Sequence, residues 1–233
     1  MIKVSDITEV SVKTDIIEKY KNIKPDKEMT AQEADDFWNS EFAKVQEEVD
    51  ATLYDGILSE VFNRCEDDIN INFDVDDKLM SILDKFKSED WDVMNEEQQL
   101  SVLTELTQEV GEKLGLDKIP TISVFEDTSG VYGRYDPVNN VVNLNKNYFN
   151  DSSEVVNTLT HELRHAFQIL RAERLETWED VLYRVNLDNY ISPVHLPGGG
   201  WLFFTDYMDQ YMEVDARKFA KLFAEVMEYE RGY

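Results

Sequence analysis

Residues 161–165 read His161-Glu162-Leu163-Arg164-His165. Side chains four apart on a helix share one face, so the two imidazoles can hold a single zinc ion. Glu162 then stands beside that ion, where it can take a proton from a water held at the metal. The chain has only 3 histidines in 233 residues, so this H-E-x-x-H spacing is hard to meet by accident. The chemistry such a set performs is metal-assisted hydrolysis. The plainer alternative is a polar helix that happens to carry two histidines.

Hydrolysis at zinc needs a third protein ligand and one open position. A histidine six residues after His165 would be one solution, but that position is Arg171, which cannot ligate zinc. The other candidates lie downstream, in Tyr211-Met212-Glu213-Val214-Asp215-Ala216-Arg217-Lys218-Phe219-Ala220. Ala216 and Ala220 fall on the same helical side as Glu213, and small residues let that side approach the metal helix closely. Glu213 is therefore the favoured ligand and Asp215 the second choice, because two acids two residues apart cannot both face one ion well. His195 is a rival third ligand. His195, Tyr207 and Tyr211 are also candidates for stabilising the oxyanion of a tetrahedral intermediate.

These residues need elements to hold them. Asn150 to Ser153 cap a predicted helix, 154–173, whose core stripe is Val156, Leu159, Leu163, Ala166, Phe167 and Leu170. Before it, alternation and β-branching predict strands over 121–125, 130–135 and 141–145, with a turn at 136–140. A helix is expected over 95–114, ended by Gly115. Residues 175–205 read as irregular, with Pro197 to Gly200 a flexible run and possible hinge, and a last helix follows from about Tyr207 to Glu228.

Residues 1–90 read as an acidic, helical N-terminal region, set apart from a second domain over 91–233. Thr30 to Glu60 carries a capping-box start and an apolar stripe through Phe37, Trp38, Phe42, Val45, Val49 and Leu53. The alternating run 68–76 invites a calcium-loop reading. However, Phe73 stands where that loop needs glycine and Leu79 where it needs a bidentate glutamate, so a short strand or extended linker fits better. Leu79 to Phe86 reads as a short helix.

The formal net charge is −26, which repels nucleic acid phosphates and anionic lipid, so neither nucleic acid nor membrane is expected as a partner. Cys65 is the single cysteine, so no intrachain disulfide is possible, and its apolar neighbours Val61 and Phe62 suggest a buried thiol. Neither a secretory leader nor a stretch of membrane-spanning length is visible, which makes a cytoplasmic protein the expectation.

The block Thr160-His161-Glu162-Leu163-Arg164-His165-Ala166-Phe167-Gln168, together with Glu213-x-x-Ala216-x-x-Phe219-Ala220, resembles the gluzincin-type zinc metallopeptidases of the compact, zincin-like "minigluzincin" group found in bacterial and prophage proteins. The 47 residues between His165 and Glu213 fit that group, and Tyr135 to Asn145 resembles the hairpin preceding its metal helix. The resemblance spans roughly residues 95–230. It implies an α+β, zincin-like fold: a small, mostly antiparallel sheet packed on the active-site helix and on a C-terminal glutamate helix, with the helical N-terminal region added. It further implies His161, His165 and Glu213 as zinc ligands, Glu162 as general acid/base, and a peptide or protein as substrate. One departure stands out. Arg217 occupies the place, four residues after Glu213, where an acid would support the first histidine, so another partner such as Asp215 is needed.

The expected activity is thus zinc-dependent peptide hydrolysis, with an extended substrate pairing against strand 141–145 as the exposed sheet edge. Two other classes fit parts of the sequence. A catalytically silent zincin-like module could bind a basic protein partner, and an acidic decoy could mimic nucleic acid, although the decoy leaves the metal motif without a purpose.

Overall fold

The computed structural model describes residue 40 and residues 58–62, 66–195 and 201–230. The expected helix over 30–60 lies almost wholly outside these residues, as do Cys65 and the glycine run 198–200. In chain order the elements are α1 (Asp77–Leu83), α2 (Ser88–Trp91), α3 (Glu96–Lys113), β1 (Thr121–Phe125), β2 (Gly133–Asp136), β3 (Val141–Asn145), α4 (Ser152–Arg174), α5 (Trp178–Asp188), β4 (Val194–His195), β5 (Trp201–Leu202), α6 (Phe204–Asp209) and α7 (Tyr211–Glu230). The fold class is α+β. The chain divides into two compact units, one formed by residues 66–170 with 213–233, the other by 1–65 with 171–212.

In the first unit, local sequence sets the element ends. Asn95 and Gln98 form a reciprocal capping box at the start of α3. Gly115, at φ +69°, closes the helix: Leu116 N–H reaches Gly111 O and Gly115 N–H reaches Glu112 O. The helix α4 is capped by Asp151, whose Oδ1 accepts from the amides of Ser153 and Glu154. Leu103, Leu106 and Val110 of α3, Val142 and Leu144 of β3, Val156, Leu159 and Leu163 of α4, and Phe219 and Phe223 of α7 share one buried core. Leu79, Phe86 and Trp91 join it from residues 77–91. The Trp91 indole stacks on Phe86 and donates to Phe149 O at 2.6 Å, so its one polar atom is satisfied in the interior.

The sheet differs from the expected one. Its strand order is β1-β3-β2, with β1 parallel and β2 antiparallel to β3, so it is mixed rather than mostly antiparallel. The β2–β3 hairpin turns at Asp136–Asn140, where Asp136 Oδ1 accepts from the amides of Val138 and Asn139, and Asn140 takes φ +52°. Because β3 folds back between its two neighbours, it is the central strand and has no edge to offer a peptide. Among the described residues the edges are β1 and β2. The second strand begins at Gly133 rather than Gly130, which instead bends the chain at φ +87°. The run 69–76 forms neither strand nor helix, and Asp76 at its end is extended and caps α1.

Residues 175–205, expected to be irregular, hold ordered elements in the second unit. Thr177 and Asp180 form a capping box for α5, which buries Val181, Leu182 and Val185. Gln210 adopts extended backbone and splits the expected last helix into α6 and α7. Its fully buried amide accepts from Asn186 Nδ2 and from Ile191 N–H, and donates to the carbonyls of Ile191 and Tyr207. Asn186 Oδ1 accepts from Met212 N–H at 2.7 Å, which fixes the first turn of α7. No helix among the described residues is long and apolar enough to cross a membrane.

Gly133 brings β2 tightly against α4. A Cβ built there would lie 2.6 Å from Thr158 Cγ2 and 3.1 Å from Asn143 O. Gly133→Ala is expected to lower stability by about 1–3 kcal/mol through overpacking. Adding Thr158→Ser, which removes the clashing methyl, should recover part of the loss in urea unfolding. Full stability of the single variant would show that the strand can move away from the helix without cost.

Candidate metal centre

Two acids near the start of α7, Glu213 and Asp215, are 1% and 0% exposed. A carboxylate removed from water needs a cation or several donors. The two find different solutions, and both partners come from α4.

Asp215 is met by Arg164, which donates from Nε at 2.8 Å and from Nη2 at 2.9 Å to the two carboxylate oxygens. Gln168 Nε2 adds a third donor at 2.7 Å. The Arg164 guanidinium also lies over the rings of Phe167 and Phe219, at 4.4 and 5.2 Å. This engagement removes Asp215 from the competition for the metal.

Glu213 faces His161 and His165. Its Oε2 lies 3.4 Å from His161 Nε2 and its Oε1 3.3 Å from His165 Nε2, while the two Nε2 atoms are 3.0 Å apart. Ligands at the zinc–nitrogen and zinc–oxygen distances of a tetrahedral site stand about 3.3 Å from one another. The three side chains present that spacing, and these residues could hold a metal ion. The chemistry agrees with the geometry: two imidazoles and one buried carboxylate are a donor set whose charge a divalent cation would balance.

Without a metal a proton takes that role. Burial acts to push His165 down, but the Glu213 carboxylate and its hydrogen bond, with Glu162 and Gln168, raise it from 6.5 to about 9. Burial alone would push Glu213 up. The His165 and His161 rings overcome this and hold it far below the usual carboxylate range.

Glu162 follows His161 on α4 and is 8% exposed. Its Oε2 accepts the Tyr135 amide N–H from β2 at 2.7 Å. The Asn145 amide pairs with Tyr132 O across the hairpin, which leaves alternate residues of β2, Gly133 and Tyr135, aimed away from β3. Glu162 therefore lies between the histidine pair and the outer edge of β2.

Three other residues named from the sequence, His195, Tyr207 and Tyr211, belong to the second unit. Tyr211 leaves α7 about 200° round from Glu213, is buried, and stacks on Tyr183 with ring centroids 5.2 Å apart. Tyr207 packs edge-on against Tyr190. His195 is in β4, paired with Trp201 in the second unit. The support expected for the first histidine is arranged differently: Asp215 reaches the second, His165, through Gln168, whose Oε1 lies 2.8 Å from His165 Nδ1. Arg164 and the Tyr135 amide had no assigned role in the sequence reading. An arginine between the two histidines is the one local signal, but its partner lies 51 positions away.

No protein-family model, curated protein or solved structure matches this chain.

The sign of the pH dependence follows from these shifts. A raised His165 stabilises the metal-free fold fully below pH 6.5, and this is lost as pH climbs through about 9. The depressed Glu213 contributes above its ordinary value of 4.5, and that is lost as pH falls. Thermal melts of chelated protein should decline between pH 6.5 and 9, while the gain in melting temperature on adding zinc grows across that window. A zinc effect that is flat with pH would mean that the ion does not displace the His165 proton.

Proposed function

We propose that this protein is a zincin-like zinc metallopeptidase of the gluzincin type, with His161, His165 and Glu213 as ligands and Glu162 as general acid/base. The observation that carries the reading is the meeting of two imidazole nitrogens, 3.0 Å apart, with the two oxygens of the buried Glu213 carboxylate at 3.3 and 3.4 Å, and a second carboxylate, Glu162, follows His161 on the same helix. The sequence resemblance over 160–168 and 213–220 supports it independently of the coordinates.

Zinc bound there would polarise a peptide carbonyl and acidify water at neutral pH. The residues of the chain do the rest. Glu162 takes a proton from the attacking water and returns it to the departing amine. The Tyr135 amide holds one oxygen of Glu162, which leaves the other for proton transfer. An extended substrate would add to the outer edge of β2 rather than to β3, pairing beside the Tyr135 amide, whose N–H is already given to Glu162.

The test uses the full chain loaded with zinc, incubated with a complex peptide mixture and read by mass spectrometry. Wild type should generate new termini, lose this activity with chelator and regain it with zinc. Glu162→Gln should keep about one zinc per chain and lose about 10²–10⁴-fold in rate, the usual worth of a positioned acid/base. Equal cleavage by wild type and Glu162→Gln would remove the role given to Glu162. Zinc uptake without any cleavage would favour a silent binding module.

A further inference from the structure

The histidine ligands must offer the right nitrogen to a metal, and the structure contains a device that selects it. Gln168 is fully buried, one turn beyond Arg164 on α4. Its amide bridges two groups: Nε2 lies 2.7 Å from Asp215 Oδ2, and Oε1 lies 2.8 Å from His165 Nδ1. The two ends of an amide are nearly equal in shape, so packing alone would not choose between orientations. Asp215 chooses. Its carboxylate, bound at both oxygens by Arg164, only accepts hydrogen bonds, so the NH2 end must face it. The carbonyl end then faces His165, and Nδ1 must carry a proton to meet it. A neutral imidazole protonated at Nδ1 keeps its lone pair at Nε2. That is the atom 3.0 Å from His161 Nε2 and 3.3 Å from Glu213 Oε1.

We infer that Gln168, oriented by the Arg164–Asp215 pair, is a positioning residue that sets the His165 tautomer and presents Nε2 to the metal. The inference rests on the metal-centre reading above. Gln168 touches neither substrate nor reacting atoms and acts through His165. It also gives Asp215 a purpose: this acid, two residues from the ligand Glu213, orients the ligand on the facing helix.

Gln168→Met keeps the length of the side chain and removes both hydrogen bonds. In competition with a chromophoric chelator, its zinc affinity should fall about 10–100-fold, as for other residues that orient a metal-bound histidine. A merely structural role would lower the melting temperature of chelated protein while leaving zinc affinity within about twofold of wild type. Wild type that binds zinc, beside a variant that binds it equally well, would overturn this inference and leave the proposed function standing. Wild type that takes up no zinc would overturn both. Should the variant fail to fold, a long-range ¹H–¹⁵N correlation spectrum of metal-free wild type decides, recorded at alkaline pH where the ring is neutral. The expected result is His165 protonated at Nδ1 and bare at Nε2; the opposite tautomer would overturn the inference.

Discussion

Burial of two carboxylates within one turn of α7 is the constraint on which this site depends. Glu213 and Asp215 are both withdrawn from solvent, and neither can stay charged there without a partner. Each is answered from α4, Asp215 by Arg164 and Gln168, Glu213 by the two histidines. The register between the two helices is thereby fixed at four positions of α4. Sliding one helix by a turn would strand both acids, and breaking a buried pair costs about 3–5 kcal/mol. The Arg164 pair completes itself with protein groups. The Glu213 cluster, two imidazoles on one carboxylate, could hold a metal ion.

The sheet supplies the third participant. Gly133 lets β2 pass close to Thr158 on α4, and this closeness puts the Tyr135 amide in reach of Glu162. One edge strand thus orients the proposed acid/base and offers a line along which a peptide could lie. The proposed ligands and the proposed base come from adjacent positions of α4, so the distance between them is set by helical geometry rather than by loop conformation. In the second unit, the buried Asn186–Gln210 network holds the start of the glutamate helix through the Met212 amide.

Much of this was legible in the residues themselves. The spacing of 161 and 165, the cap before α4, the Gly115 stop and the three strands all follow from local periodicity and turn chemistry. The preference for Glu213 over Asp215 came from the small residues Ala216 and Ala220, both now buried. What local pattern could not show was pairing at a distance. Strand order depends on which edges meet, so the central place of β3 was hidden. The reason Asp215 is occupied lies on another helix, as does the reason Gln168 is polar inside a core. The helix α5 escaped although Thr177 and Asp180 form its capping box, while Leu175, at φ +50°, ends α4 in a conformation usually left to glycine.

The central claim is that α4 and α7 share one cation, and locating that cation tests it most directly. Crystals of the full chain grown with zinc, measured on both sides of the zinc absorption edge, should show one strong anomalous peak bonded to His161 Nε2, His165 Nε2 and a carboxylate oxygen of Glu213, at about 2.0–2.2 Å from each. Density at that point that does not change across the edge, or a zinc peak held by other residues, would contradict the account.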